Sequence, residues 1–186
     1  MSGELPSAVI VGRPNVGKST LFNRLTESRR SIVTDEPGIT RDRIYGTVQW
    51  NGRPFELVDT GGLLPDDKAA IPREIFRQAR VAMENAAVLV LVVDARAGVH
   101  PLDRELAQIL RRVGKPIIIA VNKVDTGGQT SLAGEFFELG GRVVGVSAEH
   151  GRGVDDLLDE ITRDFPRAEV KEKPRAVRVA MPAAGR

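Results

Sequence analysis

The sequence predicts a three-layer α/β fold: a six-stranded, mostly parallel sheet with one antiparallel strand and helices on both faces. Three observations carry this. Apolar runs alternate along the chain with amphipathic ones, the signature of strands joined by crossover helices. The last four strand-like runs are nearly continuous in Val, Ile and Leu, as strands covered on both faces require. Asn51-Gly52, between Trp50 and Phe55, is the tight-turn signal that makes one strand pair antiparallel.

The first strand-like run, Ala8–Val11, leads directly into Gly12-Arg13-Pro14-Asn15-Val16-Gly17-Lys18-Ser19-Thr20. This segment fits Gly-x-x-x-x-Gly-Lys-Ser/Thr in the strand-to-helix context that a phosphate-binding loop needs. Gly12 and Gly17 let the backbone turn inward, so successive N–H groups point at one anion. Asn15, Val16, Gly17, Lys18, Ser19 and Thr20 are the candidate phosphate contacts. The helix-like run Lys18–Thr26 adds its positive dipole end. Lys18 supplies a point charge for the β- and γ-phosphates, and the Ser19 hydroxyl is a candidate Mg²⁺ ligand.

The second strand, Ile44–Trp50, follows the polar, turn-rich stretch Pro37-Gly38-Ile39-Thr40-Arg41-Asp42-Arg43. A Thr hydroxyl there can complete a Mg²⁺ shell when a γ-phosphate is present; Thr40 is chosen over Thr34 and Thr47 from the pattern around it. The third strand, Phe55–Val58, ends in Asp59-Thr60-Gly61-Gly62. A carboxylate at that strand tip can hold Mg²⁺ through water, and Gly62 lets a backbone N–H approach the γ-phosphate.

The helix-like run Pro72–Asn85 precedes the strand Ala87–Val93, and Leu102–Val113 precedes Pro116–Val121, which ends in Asn122-Lys123-Val124-Asp125. Guanine presents N1–H and an N2 amine on one edge, and the Asp125 carboxylate can accept from both. Adenine lacks the amine and would leave that carboxylate unpaired, a loss that sites of this kind convert into discrimination of about 10⁴–10⁵. Asn122 can tie this loop to the phosphate loop, and the Lys123 stem can pack along the base. After the helix-like run Leu132–Leu139 and the strand Arg142–Val146 comes Ser147-Ala148-Glu149, where a backbone N–H can meet the guanine O6. The run Val154–Asp164 reads as the last helix. His100 and His150 read as a surface residue and a loop residue.

The chain holds no cysteine, which excludes disulfides, Cys-ligated zinc and Fe–S clusters and fits a reducing compartment. Its longest apolar run, Ala86 to Val93, is far short of the ~20 residues of a membrane span. Its first residues lack the pattern of a signal peptide. The expectation is a cytoplasmic monomer with no membrane partner. A net charge of +2 does not by itself argue for nucleic acid. Residues 1–166 read as one GTP-binding domain and 167–186 as a basic linker or tail. Lys171, Lys173, Arg175 and Arg178 in that tail read either as a solvated linker or as RNA contacts.

GRPNVGKSTLFNRL, DEPGITRDRIYG, LVDTGG, NKVD and SAEHGRGVDDLLDEI, in this order, resemble the first GTPase domain of the Der (EngA) family. These are bacterial GTPases with two tandem G domains and a KH-like C-terminal domain, implicated in assembly of the large ribosomal subunit. The resemblance covers about Val9 to Phe165. It implies the three-layer fold of a P-loop GTPase of the TRAFAC class. It also implies GTP/GDP and Mg²⁺ as cofactors, GTP hydrolysis as the activity, and the large ribosomal subunit or its rRNA as the partner. Lys18 and Ser19, Thr40, Asp59 and Gly62, Asn122 and Asp125, and Ser147-Ala148 take the family's roles. The tail then reads as the start of a second G domain, with Val177-Arg178-Val179-Ala180-Met181 as its first strand and no second phosphate loop.

Ras-like GTPases carry a Gln after Asp-x-x-Gly to position the attacking water. Here that residue is Leu63, which cannot hydrogen-bond. One reading is a guanine-nucleotide-binding module or scaffold that no longer hydrolyses. The other is that charge stabilisation comes from elsewhere. Resemblance to other GTPases with a hydrophobic residue at this position implies K⁺ beside the β–γ bridging oxygen, with the Asn15 side chain as a ligand. The catalytic set is then Asn15, Lys18, Thr40 and Gly62. Asn15 as a mere turn former, and Arg41 or Arg43 as an internal arginine finger, stay open beside it.

Overall fold

The computed structural model describes residues 4–27, 45–62, 73–125 and 134–168. Its strands are β1 (Ser7–Val11), β2 (Tyr45–Trp50), β3 (Arg53–Asp59), β4 (Val88–Asp94), β5 (Ile117–Asn122) and β6 (Arg142–Gly145). They form one sheet in the order β2-β3-β1-β4-β5-β6, and β2–β3 is its antiparallel pair. The helices are α1 (Lys18–Glu27), α2 (Arg73–Asn85), α3 (Pro101–Val113) and α4 (Val154–Thr162).

Side chains alternate across a strand, so a continuous apolar run needs cover on both faces. On one face Ala8, Ile10, Val90, Val92, Ile118 and Ala120 pack with Leu21, Phe22 and Leu25 of α1 and Leu157, Leu158 and Ile161 of α4. On the other, Val9, Val11, Leu89, Leu91, Val93, Ile119 and Val121 pack with Met83 of α2 and Leu106, Ala107 and Leu110 of α3. All seven residues of β4 are buried, which is why its run shows no polar alternation. Truncating one of its larger members, as in Leu91→Ala, costs about 2–5 kcal/mol.

The hairpin falls where Asn51-Gly52 placed it. Trp50 pairs with Arg53, and Asn51 (φ 47°) and Gly52 (φ 77°) are both left-handed, as a two-residue turn of primed type requires. Trp50 Nε1 donates to Asp159 Oδ1 at 2.7 Å, tying the hairpin to α4. His100 is the N-cap of α3: its Nδ1 accepts from the Leu102 N–H at 3.1 Å, while the His100 N–H donates to Asp103 Oδ2 at 3.0 Å. Pro101 follows at the first helical position, where its missing N–H costs nothing.

One expected helix is not α-helical. Within the expected run Leu132–Leu139, residues 134–139 form a 3-10 turn rather than an α-helix. The buried pair Phe136 and Leu139 is spaced by three, which suits a three-residue repeat, while Phe137 faces solvent. Gly134, Gly140 and Gly141 around the segment also disfavour an α-helical nucleus.

β1, β3, β4, β5 and β6 run parallel, so their carboxyl ends share one edge of the sheet, where ligands of such folds bind.

Candidate functional site

The loop between β1 and α1 curls around its own lysine. Lys18 is buried, and its Nζ donates to the Arg13 carbonyl at 2.7 Å. Asn15 (φ 67°) and Gly17 (φ 94°) both take left-handed backbone. Gly17 has a second reason to lack a side chain, because a Cβ there would collide with Asn122 Nδ2. Ser19 and Thr20 follow in the first turn of α1, beside the N–H groups that the helix leaves unpaired. The Arg13 guanidinium faces the fully buried Asp103 of α3, Nε to Oδ1 at 3.3 Å.

Asp59, at the end of β3, lies against this loop and is buried. Its Oδ1 accepts from the Gly61 N–H at 2.8 Å, and the Ser19 hydroxyl and Lys18 ammonium are beside it. Burial is the largest influence on this carboxyl and outweighs the Gly61, Lys18 and Ser19 contacts, so its pKa lies above the ordinary 3.8. A carboxylate in that position gains from a neighbouring cation. Gly62 closes the short 3-10 turn Thr60–Gly62 that follows.

The third group comes from the ends of β5 and β6. Asn122 Nδ2 donates to the Val16 carbonyl at 2.9 Å, and its Oδ1 accepts from the Ala148 N–H at 3.0 Å. One buried amide thus joins the phosphate loop to the Ser147-Ala148 loop. Lys123 Nζ reaches Asp94 Oδ2 at 2.6 Å and the Asn15 carbonyl at 3.1 Å. The Ser147 hydroxyl donates to Asp125 Oδ1 at 2.9 Å, and Arg96 donates to Oδ2 of the same carboxylate. His150 Nε2 is 3.9 Å from Asp125 Oδ1. Arg96 and Ser147 hold the Asp125 carboxyl below its usual range.

Asn122, Lys123, Asp125, Arg96, Ser147 and Ala148 line a cavity of about 370 Å³ that reaches Gly17 and Thr20. A larger cleft of about 660 Å³, between β6 and α4, is lined by Val143, Val144, Asp156 and Glu160 and holds none of the sequence-predicted site residues.

The sequence pattern of the 50S ribosome-binding GTPase family matches residues 7–123, from β1 to the Asn122-Lys123 end of β5. The chain belongs to this family. It is 49% identical to GTPase Der of Alkaliphilus oremlandii over 161 residues, which is 86% of this chain and 37% of that protein. The chain therefore spans little more than a third of the length of such relatives. Its fold is similar to a variant of Aquifex aeolicus Era bound to GDP and AlF4⁻, at TM-score 0.70 and 30% identity, covering 89% of this chain and 58% of that one. Era in complex with MgGDPNP and nucleotides of 16S ribosomal RNA superposes at TM-score 0.69 with the same identity and coverage.

Of the expected site of a GTPase in this family, Thr40 lies outside the described residues, as do Leu63 and the alternatives Arg41 and Arg43. The basic residues of the tail, Lys171 to Arg178, lie outside them too. The other candidates meet along one edge of the sheet. Asp94, Arg96 and the Arg13–Asp103 pair were missed. Asp94-Ala95-Arg96 follows directly on the apolar run Val88–Val93 of β4, and that abrupt return of charge at a strand tip is the available signal. No helix among the described residues is long and apolar enough to cross a membrane.

Proposed function

We propose that this chain is a guanine-nucleotide switch domain that binds and hydrolyses GTP, with the large ribosomal subunit or its rRNA as partner. The observation that carries the reading is the Asn122 amide, which holds the phosphate loop and the Ser147-Ala148 loop around one cavity with Asp125. Family membership supports hydrolysis and a ribosomal partner; the GDP-, GDPNP- and RNA-bound Era structures support the nucleotide and RNA.

In this reading the switch domain spans residues 1–166, and 167–186 is a linker. The N–H groups from Asn15 to Thr20 wrap the phosphates, and Lys18 leaves the Arg13 carbonyl for the β- and γ-phosphates. Asp125 reads the N1–H and N2 amine of guanine, the Ala148 N–H side of the loop meets O6, and Lys123 flanks the base.

The residues fit Mg²⁺. The Ser19 hydroxyl and the Asp59 carboxylate are hard oxygen donors, and burial makes Asp59 gain from a cation. When bound, Mg²⁺ supplies charge neutralisation at the phosphates. Thr40, which lies outside the described residues, would complete the set, and the Gly62 N–H would serve the γ-phosphate.

For K⁺, the fit rests on the Asn15 side chain. The left-handed backbone of Asn15 also favours the second reading, a turn former in a module that does not hydrolyse. Single-turnover GTP hydrolysis in K⁺ and in Na⁺ at equal ionic strength separates the two. Faster turnover in K⁺, lost in Asn15→Ala with GDP binding kept, supports the switch. No hydrolysis in either salt supports the binding module.

A further inference from the structure

The geometry points to Arg96 as a built-in competitor for guanine: its guanidinium occupies the acceptor face of Asp125 that the base edge needs. This inference rests on the guanine reading of Asp125 given above. The N1–H and N2 amine of guanine belong to a guanidine unit within the base. The Arg side chain presents the same planar row of N–H donors, in the fork geometry that matches a carboxylate. Arg96 is thus a chemical mimic of the ligand edge, carried on the loop after β4.

Ser147 and Arg96 meet Asp125 in different ways. Ser147 is 1% exposed and donates to Oδ1 from inside the protein, so it stays when a base arrives. The Arg96 side chain is 61% exposed and lines the same cavity of about 370 Å³ as Asp125. Among the described residues its guanidinium pairs with Asp125 alone. It therefore stands on the solvent side of the carboxylate and can swing away. His150, 3.9 Å from Oδ1, flanks the other oxygen.

Exposed ion pairs are weak, so the competition is modest: guanine affinity falls by the fraction of time that the carboxylate is open. A nucleotide that offers no N–H row gives Arg96 no reason to leave. The contact then acts as a repulsive element against other bases.

The test is calorimetric titration of GDP and ADP into the whole chain, its Arg96→Ala and Arg96→Lys variants, and of XDP into Asp125→Asn with and without Arg96→Ala. We expect Arg96→Ala to bind GDP about three- to ten-fold more tightly, with Arg96→Lys between it and the parent. In the Asp125→Asn background the neutral amide no longer holds the guanidinium, so removing Arg96 leaves XDP affinity within about twofold. Weaker or unchanged GDP binding by Arg96→Ala, in a parent that still prefers GDP to ADP, overturns the competitor role and makes Arg96 a support for the base. A parent that binds GDP and ADP equally overturns the guanine reading itself and this inference with it.

Discussion

Asn122 Nδ2 donates to the Val16 carbonyl at 2.9 Å, joining two loops that stand 106 residues apart in the chain. The same amide accepts from the Ala148 N–H, so one side chain fixes the spacing between phosphate loop and base loop. Asn122→Ala would leave both buried backbone groups unpaired, at about 1–3 kcal/mol each. We expect a lower melting temperature and weaker GDP binding together, read by a thermal melt and calorimetry. A variant that melts normally and binds normally would remove the bridge from the account.

Lys18 Nζ donates to the Arg13 carbonyl at 2.7 Å, and its ammonium also lies beside the Asp59 carboxylate, so the charge already stands where the phosphate loop meets the end of β3. Lys18→Ala should weaken GDP and GTP binding by at least about a hundredfold, since a charge-assisted contact to phosphate is worth roughly 1.5–3 kcal/mol and several share this cation. The melt should change little. Unchanged affinity by calorimetry would count against the phosphate-loop reading.

Asp59 carries the opposite balance. Its carboxyl lies above 3.8 because burial disfavours the charged form, so the ionised group costs stability at neutral pH and that cost disappears as pH falls through its raised pKa. Asp59→Asn should therefore raise the melting temperature of the nucleotide-free chain at neutral pH. The same variant should lose the Mg²⁺ dependence of GTP binding. A lower melting temperature would mean that Lys18 and the Gly61 N–H fully compensate the buried charge.

Asp94 and Asp125 titrate the other way. Burial pushes Asp94 up, but the Lys123 ammonium and the Arg96 and Ala97 N–H groups outweigh it, so its carboxyl lies below 3.8. Arg96, then Ser147, lower Asp125. Groups with depressed pKa values stabilise the fold above the unfolded value and lose that contribution as pH falls through the folded one. Melting temperature should thus hold from neutral pH to about pH 5 and drop below about pH 4. Lys123→Met should shrink that acid drop. An acid drop of the same size in the variant would show that other carboxylates govern it.

How far the sequence spoke follows from the range of each signal. The strands were legible because burial on both faces left no polar residue between Val88 and Val93. The hairpin was legible because Asn51-Gly52 is a local rule satisfied by local backbone. The 134–139 turn was not, since Phe136 and Leu139 fit a period of three as well as one of 3.6. Asn122 and Asp125 could be placed because each acts from a motif at a strand end. Arg96 lies 29 residues before Asp125 and belongs to no motif, so its arrival at that carboxylate is a product of the β4–β5 pairing. The Arg13–Asp103 contact is of the same kind: two ordinary charges whose meeting depends on how α3 packs.

The central claim is that Asp125 reads guanine. It is tested most directly by competition of GDP, ADP and XDP for the parent chain and Asp125→Asn, with Mg²⁺ present. The parent should prefer GDP over ADP by about 10⁴ or more. Asp125→Asn should lose GDP and gain XDP, because the new amide donates to the O2 carbonyl of xanthine. An Asp125→Asn variant that keeps its full preference for GDP over XDP would contradict the claim and take the base pocket away from Asp125.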